Sequence, residues 1–88
     1  MKIKEIAYTP TFKKAFQKLP KKIQLEAVNK EKIFRQDAFA SELRTHKLKG
    51  KFKDYYSFSL AYSYRVVFRF LKQNQVLFVD CGDHSVYG

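Results

Sequence analysis

The sequence predicts an α+β fold: an N-terminal strand, a two-helix hairpin, then a three- to four-stranded antiparallel sheet with the helices packed on one face. Three patterns carry this prediction. Apolar residues recur at helical spacing on either side of Pro20. Apolar and small polar residues then alternate from Tyr56 to Tyr64, the signature of a half-buried strand. A last apolar run over residues 76–81 ends at Gly82.

Taken in order, Ile3, Ile6 and Tyr8 give the first segment β character. Thr9-Pro10 reads as an N-cap followed by proline at the first helical position, where its missing N–H is not needed. Phe12, Phe16 and Leu19 line one face of the helix that follows. Pro20 ends that helix and opens a second over residues 21–34. There Ile23, Ala27 and Phe34 share a face, with Val28 and Ile33 at its margins and Lys22, Glu26, Lys30 and Lys32 solvated. Residues 37–42 carry no decisive pattern.

Over residues 43–53, Lys47, Lys49, Lys51 and Lys53 alternate with Leu48, Gly50 and Phe52. On an extended chain that spacing puts all four lysines on one side, either to guard an edge strand or to meet phosphates. Tyr56, Phe58, Leu60, Tyr62 and Tyr64 form the apolar set of the next strand, with a turn expected near residues 61–63. Val66, Phe68 and Phe70 continue it, opposed by Arg65 and Arg69. Lys72-Gln73-Asn74-Gln75 is a polar turn, and the unalternating run after it reads as a central strand covered on both faces. The face away from the helices is left with serines, arginines and lysines.

Eighty-eight residues suffice for a single domain, residues 1–88, whose core draws on fifteen Phe and Tyr side chains. Cys81 is the sole cysteine, which excludes an internal disulfide and fits a reducing compartment. The N-terminus lacks the apolar run of a signal peptide, and no stretch has transmembrane length, so a cytoplasmic protein is expected. A formal net charge of +10 favours polyanionic partners: RNA, DNA, an anionic membrane or an acidic protein.

Phosphate loops, dinucleotide fingerprints and zinc-ligand spacings are absent from the sequence, and neither a metal nor any other cofactor is expected. Cys81, inside a strand, reads as an inert buried thiol. What remains is a basic set: His46, Lys47, Lys49, Lys51, Arg65, Arg69, His84 and Tyr87. RNA transesterification uses these residue types. The 2′-OH must lose a proton, the phosphorane charge must be stabilised, and the departing 5′-oxygen must gain a proton. Histidine can move protons, arginine or lysine can hold phosphate oxygens, and tyrosine can stack on a base.

The chain resembles the RelE/ParE superfamily of toxins from bacterial type II toxin–antitoxin modules, specifically its RelE-type, YafQ-like branch. The resemblance rests on Tyr8-Thr9-Pro10-Thr11-Phe12 with Leu19-Pro20, on Leu43-Arg44-Thr45-His46-Lys47-Leu48-Lys49-Gly50, on Tyr56-Ser57-Phe58 with Tyr64-Arg65-Val66-Val67-Phe68, and on Gly82-Asp83-His84-Ser85-Val86-Tyr87. It implies a metal-independent endoribonuclease that cuts mRNA in the ribosomal A site by 2′-OH attack. It also implies a small, acidic cognate antitoxin, with operator DNA bound only through the antitoxin complex and no membrane partner. His84 then matches the closing histidine that acts in proton transfer, Tyr87 the aromatic that contacts the nucleotide, and Arg65 the arginine that stabilises the phosphate. Lys49 completes the catalytic set, and His46, Lys47, Lys51, Lys53 and Arg69 are expected to bind RNA. Ser85 departs from the acidic residue many relatives carry there. A ParE-like gyrase inhibitor, or a degenerate member that only binds its antitoxin, are the alternatives on the same fold.

Overall fold

The computed structural model of the protein describes residues 1–50 and 53–83. Its elements are β1 (Glu5–Tyr8), α1 (Pro10–Gln17), α2 (Lys21–Gln36), a 3₁₀ turn at Ser41–Leu43, β2 (His46–Lys47), β3 (Tyr56–Ser59), β4 (Arg65–Phe70) and β5 (Gln75–Gly82). The strands form one five-stranded sheet in the order β1-β5-β4-β3-β2. β1 runs parallel to β5 and the other pairs are antiparallel, so the N-terminal strand joins the expected three- to four-stranded antiparallel sheet, here of four strands, and makes it a mixed sheet of five.

Thr9 makes the junction of β1 and α1. Its Oγ1 accepts the Phe12 N–H at 2.9 Å and donates to the Val79 carbonyl at 2.7 Å. One hydroxyl therefore caps the helix and ties it to β5. Pro10 follows at the first helical position, as the sequence predicts. At the far end of α1, the Gln24 side-chain amide reaches back to the carbonyls of Phe16 and Leu19 at 3.1 and 3.2 Å. The Phe16 carbonyl also accepts the Leu19 N–H at 3.1 Å, so Gln24 adds a second donor there and links α2 to the end of α1.

Phe34 of α2 is 0% exposed and touches Phe58 and Phe68 at ring-centroid distances of 4.9 Å, and Phe78 at 5.4 Å. One residue from each of β3, β4 and β5 thus converges on a single helical side chain. Phe12, Leu19, Ile23 and Ala27 extend this core along both helices, matching the stripes read from the sequence. Lys30 departs from its expected solvation. Its ammonium donates to the Leu60 carbonyl at 2.9 Å and lies 3.7 Å from Glu26, with only 18% of the side chain exposed.

The apolar run in β5 has a different meaning from the one expected. Val67 pairs with Asp80 and the adjacent Phe68 with Phe78, so Val79 is the extra residue of a β-bulge. Because of it Phe78 and Cys81, three apart, are both buried, whereas Leu77, Val79 and Asp80 are half-exposed. β5 is covered by helices on one side only.

Among the described residues the lysine alternation over residues 47–53 does not continue as a strand either; Lys51 and Phe52 lie outside them. β2 is two residues long, Gly50 sits at φ +70°, and the Lys53 N–H closes a turn on the Gly50 carbonyl at 3.1 Å. Periodicity of two places side chains on one face only while the backbone stays extended. In the next strand, Tyr56, Phe58 and Leu60 follow the predicted pattern, but Tyr62 does not. It is 86% exposed, at the turn between β3 and β4.

Candidate functional site

Strand register determines which polar residues share the face opposite the helices. His46 pairs with Ser57, Ser57 with Val67, and Val67 with Asp80, forming one row across β2, β3, β4 and β5. The next row is Ser59, Arg65 and Gly82. Directly opposed residues project to the same side of a sheet. His46 and Arg65 thus share a face, two strands apart and offset by one row.

The His46 ring is exposed, and its Nδ1 lies 3.0 Å from the Arg44 carbonyl. A carbonyl only accepts, so Nδ1 is the donor in this contact, which leaves Nε2 facing away from it. Arg44 reaches this geometry in a left-handed conformation, φ 52° and ψ 40°, at the end of the 3₁₀ turn. Ser57, between His46 and Val67, is 0% exposed, and its Oγ has no hydrogen-bond partner among the described residues. Asp80 folds its Oδ1 onto the Cys81 N–H at 2.8 Å.

Arg69 lies on the same face as Arg65, four residues further along β4 and opposite Leu77. That separation is about 13 Å of strand, which puts Arg69 at the far end, beside the 71–75 turn. Lys47 pairs with Tyr56 and is turned by the pleat to the side opposite His46. Lys49 and Lys53 are exposed in the β2–β3 connection. The structure therefore sets His46, Arg65 and Arg69 on one face, the two arginines one row to either side of the His46 row, and turns Lys47 to the other. Lys51, His84 and Tyr87 lie outside the described residues. Gly82 pairs with Arg65, so the strand leading to the closing motif ends beside that arginine.

Sequence reading passed over Ser57, Arg44 and Asp80. Asp80 had a signal, a carboxylate inside an apolar run. The Ser57 and Arg44 contributions depend on pairing and backbone geometry that no local pattern encodes.

Cys81 is buried, and its thiol is pushed up to about 12, first by burial and then by the Asp80 carboxylate. A neutral thiol of this kind is a poor nucleophile, in agreement with the sequence reading. Among the described residues, no group of three or more His, Cys, Asp or Glu side chains is arranged to hold a metal ion. Nor is any described helix long and apolar enough to cross a membrane.

Two cavities lie away from the His46–Arg65 face. The larger, about 360 Å³, is an apolar groove on the helix side lined by Phe12, Phe16, Val28 and Phe78. Beside it Glu31 accepts hydrogen bonds from the Tyr8 hydroxyl at 2.8 Å and from Arg35 at 3.0 Å. The smaller, about 300 Å³, lies between the α1–α2 turn and the sheet end, lined by Lys18, Pro20, Tyr64 and Gly82.

No family model and no curated protein sequence matches the chain. Solved structures do match. The YoeB/ParE toxin from Agrobacterium tumefaciens superposes with a TM-score of 0.77 at 16% identity, covering 92% of this chain and 99% of that one. The archaeal RelE–RelB complex from Pyrococcus horikoshii provides a chain at TM-score 0.73 and 21% identity, covering 94% and 96%. A chain of the DinJ–YafQ toxin–antitoxin complex of E. coli matches over 100% of both chains, at TM-score 0.72 and 15% identity. The protein has the fold of the RelE/ParE toxins, YafQ among them.

Proposed function

We propose that the protein is the toxin of a type II toxin–antitoxin module and acts as a ribosome-dependent, metal-independent endoribonuclease on mRNA. The observation that carries this reading is the pairing register that sets His46 and Arg65 on one polar face of a RelE/ParE-type sheet. The net charge of +10 supports a polyanionic substrate.

In this reading the 2′-hydroxyl of the scissile nucleotide attacks the adjacent phosphorus, and the P–O5′ bond breaks. The products are a 2′,3′-cyclic phosphate and a 5′-hydroxyl. Arg65 donates to the non-bridging oxygens as charge builds on the phosphorane. His46, with Nδ1 held by the Arg44 carbonyl, is suited to exchange a proton through Nε2. His84 and Tyr87 contribute proton transfer and nucleotide contact, as the family resemblance implies, and Lys49 adds positive charge. The exposed Lys47, Lys53 and Arg69, with Lys51, hold RNA beyond the reacting phosphate. The inhibitory partner is a small, acidic antitoxin, in keeping with the toxin–antitoxin complexes among the structural neighbours. The setting is the cytoplasm.

The test is incubation of wild type, Arg65→Ala and His84→Ala with mRNA-programmed ribosomes and with free RNA, mapping new 5′ ends. Cleavage within ribosome-bound codons is expected, falling about 10²–10³-fold in Arg65→Ala when one charge-stabilising donor is removed. A wild-type protein that leaves RNA intact but damages DNA on induction would instead identify a gyrase inhibitor. A protein that does neither yet binds an acidic antitoxin would be a degenerate member.

A further inference from the structure

Tyr62 occupies a position its side chain and backbone both argue against. The Tyr64 N–H donates to the Ala61 carbonyl at 3.0 Å and the Leu60 N–H to the Tyr64 carbonyl at 2.9 Å, closing a tight turn between β3 and β4. Tyr62 is the first central residue of that turn, at φ 55°, and Ser63 does not share the positive φ. This is the pattern of a II′ turn, whose first central position glycine ordinarily fills because it lacks a Cβ. A large aromatic there is disfavoured by the backbone. It also contributes nothing to the core, since 86% of it is exposed.

The turn is nevertheless firmly held. Besides its two backbone bonds, the Lys30 ammonium donates to the Leu60 carbonyl at 2.9 Å, anchoring the base of the turn to α2. The same hairpin leads into Arg65 three residues later and into Tyr64, which lines the 300 Å³ cavity with Lys18. The exposed ring therefore stands on a held turn at the Arg65 end of the sheet, on a chain of net charge +10. Aromatic platforms beside positive charge are how proteins hold unpaired nucleotides, because every base has a face to stack on.

We infer that Tyr62 is a nucleobase-stacking contact for single-stranded RNA, fixing a nucleotide flanking the one whose phosphate meets Arg65. This rests on the proposed ribonuclease reading for the identity of the polymer. Tyr62 is a binding residue, and the reacting groups are unchanged by it.

The experiment measures equilibrium binding of a fluorescent single-stranded RNA dodecamer to wild type, Tyr62→Phe, Tyr62→Leu and Tyr62→Gly, alongside thermal melts and ribosome-programmed cleavage. Tyr62→Phe is expected to bind within about twofold of wild type, whereas Leu and Gly weaken binding about tenfold, the effect of one lost stack. Tyr62→Gly should melt at or above the wild-type temperature, since glycine suits the left-handed position. A stability gain with an affinity loss is a combination that a merely structural tyrosine would not produce. Equal RNA affinity in Tyr62→Gly and wild type would overturn the inference, as would a loss confined to binding of an acidic protein partner. If wild type cleaves and Tyr62→Gly binds and cleaves equally, the stacking inference fails and the ribonuclease reading stands. If wild type binds RNA in a Tyr62-dependent way without cleaving it, the reverse holds.

Discussion

The two faces of the sheet are built from the same three strands by different rules. On the helix side, Phe58, Phe68 and Phe78 pack on Phe34 with ring centroids 4.9–5.4 Å away, and polar atoms are nearly absent. On the other side, the same strands carry Ser57, Arg65, Arg69 and Asp80. The helix face is over-determined by mutual packing, so its geometry tolerates little change. The opposite face borrows that rigidity, because the strands that carry His46 and Arg65 are held from behind. Stability and chemistry should therefore be separable by mutation.

The largest effect expected is on the helix side. Phe34→Ala should lose about 3–5 kcal/mol of folding free energy, a large share of the 5–15 kcal/mol typical of a small domain. Chemical denaturation read by circular dichroism checks this, and Phe34→Leu should recover much of the loss. On the other face, Arg65→Ala should depress cleavage as described above while shifting the denaturation midpoint by less than about 0.5 kcal/mol equivalent. If Arg65→Ala proves as destabilising as Phe34→Ala, the division between a structural and a chemical face is wrong.

A smaller effect sits at the seam. Thr9→Val keeps the shape of the side chain but deletes the hydroxyl that caps α1 and satisfies the Val79 carbonyl. Together these losses should cost about 2 kcal/mol, or on the order of 10 °C in melting temperature for a chain of this size. Thr9→Ser should restore most of it. A Thr9→Val protein as stable as wild type would show that the bulge in β5 holds itself.

The features legible in the sequence were those that depend on neighbours in the chain. Thr9-Pro10 announces its helix start because capping involves residues three apart, and Phe12, Leu19, Ile23 and Phe34 announce their faces by helical period. The bulge at Val79 was hidden because its fastening hydroxyl comes from a residue seventy positions away. Without the bulge, an apolar run containing Asp80 reads as a strand buried on both sides. The lysine alternation misled because its period presupposed an extended backbone, which Gly50 breaks at φ +70°. Residue types suggested the candidate site as a basic set, but only register tells that His46 and Arg65 share one face and Lys47 does not. Tyr62 was counted in the apolar set although the turn over residues 61–63, which the sequence did announce, takes it out of the strand that ends at Ser59.

The least of the expected effects concerns the rear of the helix face and its response to pH. Tyr8 donates to Glu31, whose other donor is Arg35. Burial first, and then the Glu31 carboxylate, raise the Tyr8 phenol above its ordinary range. The sign follows directly. A group whose folded pKa exceeds its unfolded pKa contributes stability that is fully present below the unfolded value, near 10 for a phenol, and is lost as pH rises through the folded value. Stability should thus be flat in this term at neutral pH and decline above about pH 10. Tyr8→Phe removes the ionisable group, so the variant should lose less stability than wild type between pH 9 and pH 11, whatever its stability at pH 7. Lysines that neutralise in the same window act on both proteins and cancel in the difference. Equal alkaline slopes in denaturant midpoints for the two proteins would mean that the phenolate is as well accommodated as the phenol. The Glu31 carboxylate beside it would then have to be turned away.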